Sequence, residues 1–275
     1  MKKNNKDITV IVTLYKTPIK KLYTLIQYKN FKNIIFNQES NSYFKKKLKK
    51  ILGFEFRYYF SQKNIGLSKA SNFLLSKVNT KFCLFTQADV IIEENEIKKL
   101  EKILSKKKDT IFVAPNFKTK SKNKLQKYNY VKKLDIACVL VDVKKLKKIG
   151  FFDEDFFLYW EDIYLIYKIN KSNYKMIEAN NIKAYHDNSS STLKNLNIKF
   201  IRDSNFKYGE LLYDYKLYKL RQIKITRQLF QNLVFFIIRV FLFKRKKYLV
   251  NLANIYGILK FFMFLINKKF FSLIN

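Results

Sequence analysis

Short, unbroken apolar runs recur between Ile8 and Val141, and no other feature of the chain limits its fold so strongly. They are ITVIVT (Ile8–Thr13), NIIF (Asn33–Phe36), FCLF (Phe82–Phe85), IFVA (Ile111–Ala114) and IACVLV (Ile136–Val141). Each has strand length, and none alternates as a strand with one wet face would. A strand that is apolar on both sides belongs in a sheet covered on both sides, and such sheets are mostly parallel. The segments between them read as helices: from Pro18, a residue suited to a first turn, through Tyr28, then Tyr43–Leu52, Ser68–Ser76, Glu93–Lys107, and Val143–Ile149 closed by Gly150. A further, alternating strand is expected over Phe54–Phe60. The pattern predicts an α/β domain with a mostly parallel mixed sheet.

The rest of the chain is less regular. Phe117–Tyr130 is polar and lysine-laden and reads as a mobile loop. Phe151–Lys171 reads as an aromatic loop followed by a helix starting near Trp160. A last small unit, Met176–His186, runs into Asp187-Asn188 and a run of serines. Beyond Leu193 strand signals vanish, and Tyr, Phe, Leu, Lys and Arg recur at helical spacing. The expected division is an α/β domain over residues 1–192 and a basic, aromatic helical tail over 193–275. The tail's most apolar stretches are Leu229–Phe243 and Tyr248–Ile266, interrupted by Gln231, Asn232, Arg239, Asn251, Asn254 and Lys260. A spanning helix wants about 20 nearly uninterrupted apolar residues, so neither run is expected to cross a membrane. Both suit helices lying in the interface, with Lys244–Lys247 and Lys268-Lys269 reaching lipid phosphates. The competing reading is an ordinary helical subdomain.

Charge narrows the partners. Lys and Arg number 56 against 21 Asp and Glu, a formal net charge of +35 that favours nucleic acid, phosphorylated ligands or anionic lipid. Lys, Asn, Ile, Phe and Tyr are over-used together, so part of the lysine excess fits a drift toward AT-rich codons. With 48% hydrophobic residues and only two prolines and five glycines, wholesale disorder and collagen-like or linker classes are excluded. Cys83 and Cys138 sit inside apolar runs without CxxC spacing, and are expected as buried free thiols. Met1–Lys6 is polar and does not read as a signal peptide, so a cytoplasmic place, peripheral on the inner face of the cell membrane, is expected. GxGxxG, Walker A and GxSxG are absent, which argues against dehydrogenases, P-loop enzymes and serine hydrolases.

Three places are able to carry chemistry. In Gly150–Ile169, Glu161-Asp162 stand where an aromatic loop meets a helix. Carboxylates there serve as helix caps, but Phe156, Phe157, Tyr159 and Trp160 would also supply the apolar surroundings that raise a carboxylate pKa toward a general base. In FTQADVII, Asp89 follows a central strand, where it either forms a turn or holds a divalent cation on phosphates. His186 is the chain's single histidine and reads as a surface residue or a ligand; Asn64-Ile65-Gly66 alone is ordinary turn chemistry.

Taken in order, ITVIVTLYK, NIGLSKASN, QADV, IGFFDEDFFLYWED and YHDNSSS resemble the inverting glycosyltransferases of family 2, of GT-A fold, and in particular their rhamnosyltransferase-like branch. The likeness covers Ile8–Ser191. It implies that Thr13, Leu14 and Tyr15 meet the nucleotide base, and that Asn37 stands where an Asp contacting base and ribose is usual. Asn64 and Gly66 would line the nucleotide side, with Lys69 near the diphosphate. Gln87-Ala88-Asp89 replaces the family's DxD, leaving Asp89 to hold Mg²⁺ or Mn²⁺, Gln87 to bond the donor sugar, and His186 as a further metal ligand. Asp162 aligns with the general base and Glu161 with its partner; Tyr164 departs from a common acid and Lys168 from a usual Arg. The implied partners are a nucleoside-diphosphate-sugar, a glycan or lipid-linked acceptor and an anionic membrane, with no nucleic acid. A nucleic-acid-binding protein would account for the charge but leave the ordered acidic motifs idle. A nucleotidyltransferase would want a glycine-rich loop near the first strand, which Thr13–Pro18 lacks, and Asn37 with Gln87 would suit an inactive paralogue.

Overall fold

The computed structural model describes residues 5–39, 42–117, 127–187 and 195–274. The order is β1 (Asn5–Leu14), α1 (Ile19–Leu22), a 3₁₀ helix (Tyr23–Tyr28), β2 (Phe31–Asn37), α2 (Ser42–Leu52), β3 (Arg57–Phe60), α3 (Leu67–Ser76), β4 (Phe82–Thr86) and β5 (Val90–Ile91). Then come α4 (Glu94–Lys106), β6 (Thr110–Asn116), β7 (Asn129–Val131), β8 (Cys138–Asp142), α5 (Val143–Ile149), α6 (Glu161–Asn170), β9 (Lys175–Lys183) and β10 (Tyr185–His186). The long helices α7 (Leu196–Lys216), α8 (Gln222–Phe241) and α9 (Arg245–Ile274) follow. The chain divides into a sheet unit, Met1–Asp153 with Asp162–Leu193, and a helical unit, Glu154–Glu161 with Lys194–Asn275.

The large sheet of the first unit has the order β3-β2-β1-β4-β8-β6-β9-β7. Neighbours from β3 to β4 are parallel, whereas β8 runs antiparallel to both β4 and β6. The unbroken apolar runs have a plain cause. In β1, Ile8, Val10, Val12 and Leu14 feed one core and Ile11 the other. In β4, Phe82 and Leu84 point to the first and Cys83 and Phe85 to the second; β8 divides Cys138 and Leu140 from Val139 and Val141 in the same way. Leu48 and Leu52 of α2 and Leu100 and Leu104 of α4 cover the first face. Leu74 of α3, Leu146 of α5 and Leu165 and Ile169 of α6 cover the second. Each such side chain, withdrawn from water, contributes about 1.5–3 kcal/mol. Both cysteines are buried free thiols, and burial pushes the Cys138 thiol up to about 12, which leaves it inert.

Several boundaries differ from expectation. The helix expected from Pro18 to Tyr28 keeps one α turn and tightens to 3₁₀ at Tyr23. There Thr24 Oγ1 donates to the Lys21 carbonyl at 2.8 Å and the Ala88 carbonyl at 2.6 Å, and a hydroxyl so placed competes with the helical ladder. The strand expected from Phe54 begins only at Arg57, where pairing with Ile34 of β2 starts; Phe54 and Phe56 pack on the core without joining the ladder. Within the expected loop Phe117–Tyr130, Asn129–Val131 forms β7 on the edge of β9, while 118–126 lie outside the described residues. The serine run after Asn188 lies outside them too. The helix expected near Trp160 starts at Glu161.

In the helical unit, α7 and α9 approach closely: a Cβ on Gly257 would run into the Ser204 carbonyl, with Lys207 Cβ at 2.9 Å. Between α8 and α9, Arg239 Nη1 donates to Asn251 Oδ1 at 2.6 Å, and Asn251 and Asn254 each donate to Asn232 Oδ1 at 3.0 Å. Four of the residues that interrupt the apolar runs, Asn232, Arg239, Asn251 and Asn254, thus bond one another. One expectation needs correcting: Lys246–Lys268 is, by length and composition, long and apolar enough to cross a membrane. Counting interruptions missed it because Asn251, Asn254 and Lys260 are few among the apolar residues around them. Ala253, Ile258 and Phe261 within it are fully buried.

Candidate active site

Because β1 to β4 run parallel, their C-terminal ends share one edge of the sheet, where open α/β sheets bind ligands. The register sets Leu14 beside Asn37, Asn37 beside Phe60, and Val12 beside Thr86. The edge therefore carries Thr13, Leu14 and Tyr15 from β1, Asn37 from β2, the turn Asn64–Gly66 after β3, and Gln87-Ala88-Asp89 after β4. Thr13 and Tyr15 are half-buried, whereas Leu14 is core. The buried Asn37 amide donates to the Glu39 carbonyl at 2.6 Å. Next to it Gln38 is a residue the sequence did not advertise: its buried Oε1 accepts from Ile65 N at 3.0 Å and ties the turn to β2. Asn64 Oδ1 accepts from Gly66 N at 2.9 Å, and Gly66 takes φ 89°, a conformation that favours glycine. As the N-cap of α3, Gly66 offers no side chain to the helix's first N–H groups, which remain available to an anion. Lys69 lies exposed in that first turn.

Asp89 is 3% exposed. It opens a small corner in which β5 pairs antiparallel with β10, His186 facing Val90. Gln27, also unforeseen, pins the corner by donating to the Val90 carbonyl at 2.9 Å and accepting from Ile92 N at 2.7 Å. His186 Nε2 stands 3.7 Å from Asp89 Oδ1, an oxygen that is buried without a hydrogen-bond partner. Burial raises the Asp89 pKa, opposed by His186 and Lys21 and aided by Asp187. Lys21, a buried cation missed in the sequence, is ion-paired with Asp187, whose N–H donates to the Asp89 carbonyl at 2.9 Å. No group of three His, Cys, Asp or Glu side chains able to hold a metal occurs among the described residues. The orphaned Asp89 oxygen and the adjoining imidazole nitrogen still fit a divalent cation that takes its remaining ligands from phosphate oxygens.

The acid pair lies at the start of α6. Before it, Gly150 closes α5 in the left-handed conformation, and Phe151 also has positive φ, 43°. Asn72 of α3 clasps the Phe152 backbone at both ends, donating to its carbonyl at 2.9 Å and accepting from its N–H at 3.0 Å. Lys168, in the place of the family's Arg, donates to the carbonyls of Gly150 and Phe151 at 3.0 and 2.8 Å. Glu161 is buried, and Asp162 is partly buried with Oδ1 accepting from Ile163 N at 2.8 Å. Burial lifts the Asp162 pKa above the ordinary carboxylate range despite that N–H, and the charge of Asp135 adds to the rise. Asp135 precedes β8, whose antiparallel course starts beside the end of β4, with Cys138 opposite Thr86. Asp135 was invisible in the sequence because only the reversed direction of β8 brings it there. Asp155, in contrast, is engaged structurally: its carboxylate accepts from Lys216 at 2.6 Å within the helical unit.

The sequence profile described as glycosyl transferase family 2 matches residues 9–167, more than half of the chain and the whole of this edge. The chain belongs to glycosyl transferase family 2. Its fold agrees with that of solved structures. A mannosyltransferase from Pyrobaculum calidifontis, in complex with GDP-Man and Mn²⁺, has a TM-score of 0.56 at 13% identity, covering 76% of this chain and 64% of that one. Staphylococcus aureus TarS has a TM-score of 0.50 at 15% identity, covering 73% of this chain and 39% of that one. Its 1–349 portion in complex with UDP has a TM-score of 0.52 at 15% identity, covering 74% and 65%. This family 2 member thus spans less than two thirds of the length of each, and at these identities the likeness is one of fold. Comparison with curated proteins by sequence finds no match.

Proposed function

We propose that the protein is an inverting glycosyltransferase that moves a sugar, a rhamnosyl or other hexosyl unit, from a nucleoside-diphosphate-sugar to a hydroxyl of a lipid-linked surface polysaccharide. The observation that carries this reading is the Asp162 carboxylate at the start of α6, lifted in pKa by burial and lying, with the strand edge, inside the family 2 match. Thr13, Leu14, Tyr15, Asn37, Asn64 and Gly66 contact the nucleotide, Gln87 the sugar, and Lys69 the diphosphate. Asp162 accepts the proton of the acceptor hydroxyl while that oxygen attacks the anomeric carbon on the face opposite the diphosphate, and Glu161 orients it. One displacement inverts the anomeric centre, and the nucleoside diphosphate leaves with the bonding pair. Asp89 and His186 would hold Mg²⁺ or Mn²⁺, which when bound neutralises charge on the departing diphosphate. The UDP and the GDP-Man with Mn²⁺ bound by the structural relatives support a nucleotide-sugar donor and a divalent ion. A screen of UDP-, GDP- and dTDP-sugars, scored by nucleoside diphosphate release with and without EDTA, tests the reading. One donor is expected to turn over and to stop on chelation. Release from no donor sinks the transferase; full release in EDTA removes the metal and leaves Lys21 and Lys69 to steady the diphosphate.

The tail would hold the enzyme on the cytoplasmic face of the cell membrane. On α9, Leu252, Tyr256, Leu259, Met263 and Ile266 form one exposed apolar stripe at helical spacing, and on α8 Phe230, Leu233, Ile237 and Phe241 form another. No acidic residue follows Asp214, while thirteen Lys and Arg do. A helix pair with these stripes and cations suits an anionic interface. Full-length protein is expected to sediment with anionic liposomes at low salt and to come off in about 0.5 M salt, where charge is screened beyond roughly 4 Å. Equal sedimentation with neutral and anionic vesicles, at any salt, contradicts the electrostatic part.

A further inference from the structure

The aromatic and acidic segment Glu154–Trp160, which delivers the acid pair, is gripped along its length by the helices of its own unit. The Asp155 carbonyl accepts from the Tyr208 hydroxyl at 3.1 Å and its carboxylate from Lys216 Nζ at 2.6 Å. Lys260 of α9 holds its ammonium 4.9 Å from the Phe157 ring and 4.6 Å from the Tyr208 ring, and donates to Asn205 Oδ1 at 2.6 Å. Arg202 donates from Nε to the Tyr159 hydroxyl, its guanidinium 5.7 Å from the ring centroid. Trp160 packs against Phe206 and Tyr213, with centroids 5.6 and 5.3 Å apart.

Two features are costly unless they serve something. Tyr159 and Trp160, consecutive aromatic residues, both take left-handed φ, 67° and 71°, directly before Glu161. Non-glycine residues hold such a conformation only where their surroundings determine it. Opposite them, in the middle of α7, stands Gly209, although glycine weakens a helix interior. A Cβ there would lie 2.8 Å from Trp160 Cδ1 and 3.0 Å from the Tyr159 carbonyl, closer than packed atoms come. The glycine is a notch cut for the strained pair.

We propose that α7 and α9 are the mould of the acid-bearing segment, with Gly209, Arg202 and Lys260 as positioning residues for Glu161, which ends that segment. The proposal rests on Asp162 as the base, and it gives the tail a part in the chemical step separate from any anchoring. Released from the mould, Tyr159 and Trp160 relax toward negative φ, and the Glu161 carboxylate that follows them loses its aim.

Trp160 is the single tryptophan of the chain, so its emission reports the seating of the segment directly. Full-length Gly209→Ala, Arg202→Gln and Arg202→Lys are compared with the unaltered protein for emission maximum, iodide quenching, kcat, KM, UDP and GDP affinity, and far-ultraviolet circular dichroism. Gly209→Ala is expected to red-shift Trp160, expose it to iodide, and lower kcat by about 10²-fold, the usual cost of a displacement near 1 Å, with nucleotide affinity unchanged. Arg202→Gln, which keeps a helix-forming side chain and so preserves the fold should the glycine variant not, is expected to do the same to a smaller extent, and Arg202→Lys to recover most of it. An emission shift without loss of kcat, or neither change, overturns the positioning role; kcat lost together with nucleotide affinity marks general damage and overturns it too. If the unaltered protein turns over no donor, the functional reading has failed, and the emission shift alone decides whether α7 seats the segment.

Discussion

The Asp89 corner and the Glu161–Asp162 corner each present a carboxylate that burial makes reluctant to ionise, but they are built by different means. Asp89 continues a central strand, and hydrogen bonds to backbone at Ala88, Asp89 and Val90, from Thr24, Asp187 and Gln27, hold it in place. No residue from Gln87 to Val90 takes positive φ. The acid pair instead follows two aromatics in left-handed backbone, and ring faces, a guanidinium and a notch in a helix hold the segment that leads to it. A corner whose own backbone is tied by three directed hydrogen bonds keeps its geometry when the Asp89 side chain is changed. A corner moulded by side chains is only as well placed as the surfaces around it, and it is easier to shift. Donor-binding geometry and proton-transfer geometry should therefore be separable by mutation.

The largest expected effect separates them outright. Asp162→Asn keeps volume but removes the proton acceptor, so turnover should fall by about 10²–10⁴-fold with nucleotide affinity unchanged. Asp89→Asn should instead weaken the response to Mg²⁺ or Mn²⁺ and the nucleotide affinity together. Steady-state turnover and calorimetric titration of UDP or GDP on both variants provide the check. A folded Asp162→Asn with near-normal turnover, or a dead Glu161→Gln beside it, would move the base elsewhere.

The smallest effect concerns stability. The Asp162 pKa is raised in the fold, so the folded chain binds that proton more tightly than the unfolded one. Its contribution is therefore fully present below the ordinary carboxylate value of about 4 and is lost as pH rises through the raised value. At pH 7 this partly buried group burdens the fold, and Asp162→Asn should melt a few degrees higher, an advantage that vanishes below about pH 4. Thermal melts of both proteins across this range measure it. A variant less stable at pH 7 would mean that the Ile163 N–H and the α6 terminus stabilise the ionised form more than burial opposes it.

The same contrast explains what could be read from the chain. The β1, β2, β4 and β8 runs were visible because their residues fill cores on both faces of the sheet, which leaves few polar positions to break them. The direction of β8 was not visible, since a strand buried on both faces looks alike forward and reversed, and with it went Asp135. Asp89 and the acid pair were legible as chemistry at an element boundary, whereas Lys21, Gln27 and Gln38 are polar residues whose roles exist only through contacts distant in sequence. Gly209 left a usable trace: a lone glycine in an otherwise helical stretch of a chain with five glycines marks a close approach. What it approaches needed the fold.

The amide cluster of Asn232, Asn251 and Asn254 with Arg239 has a mechanical consequence. Two helices joined only by greasy side chains can slip past each other by one turn, about 5.4 Å, with little penalty. Here such a slip would break three hydrogen bonds at once and leave the buried Asn251 amide unpaired, at about 1–3 kcal/mol for that group. The α8–α9 hairpin is therefore keyed in register, and its two stripes cannot roll independently. Whatever surface it meets, it meets as a blade with a fixed flat and a fixed edge.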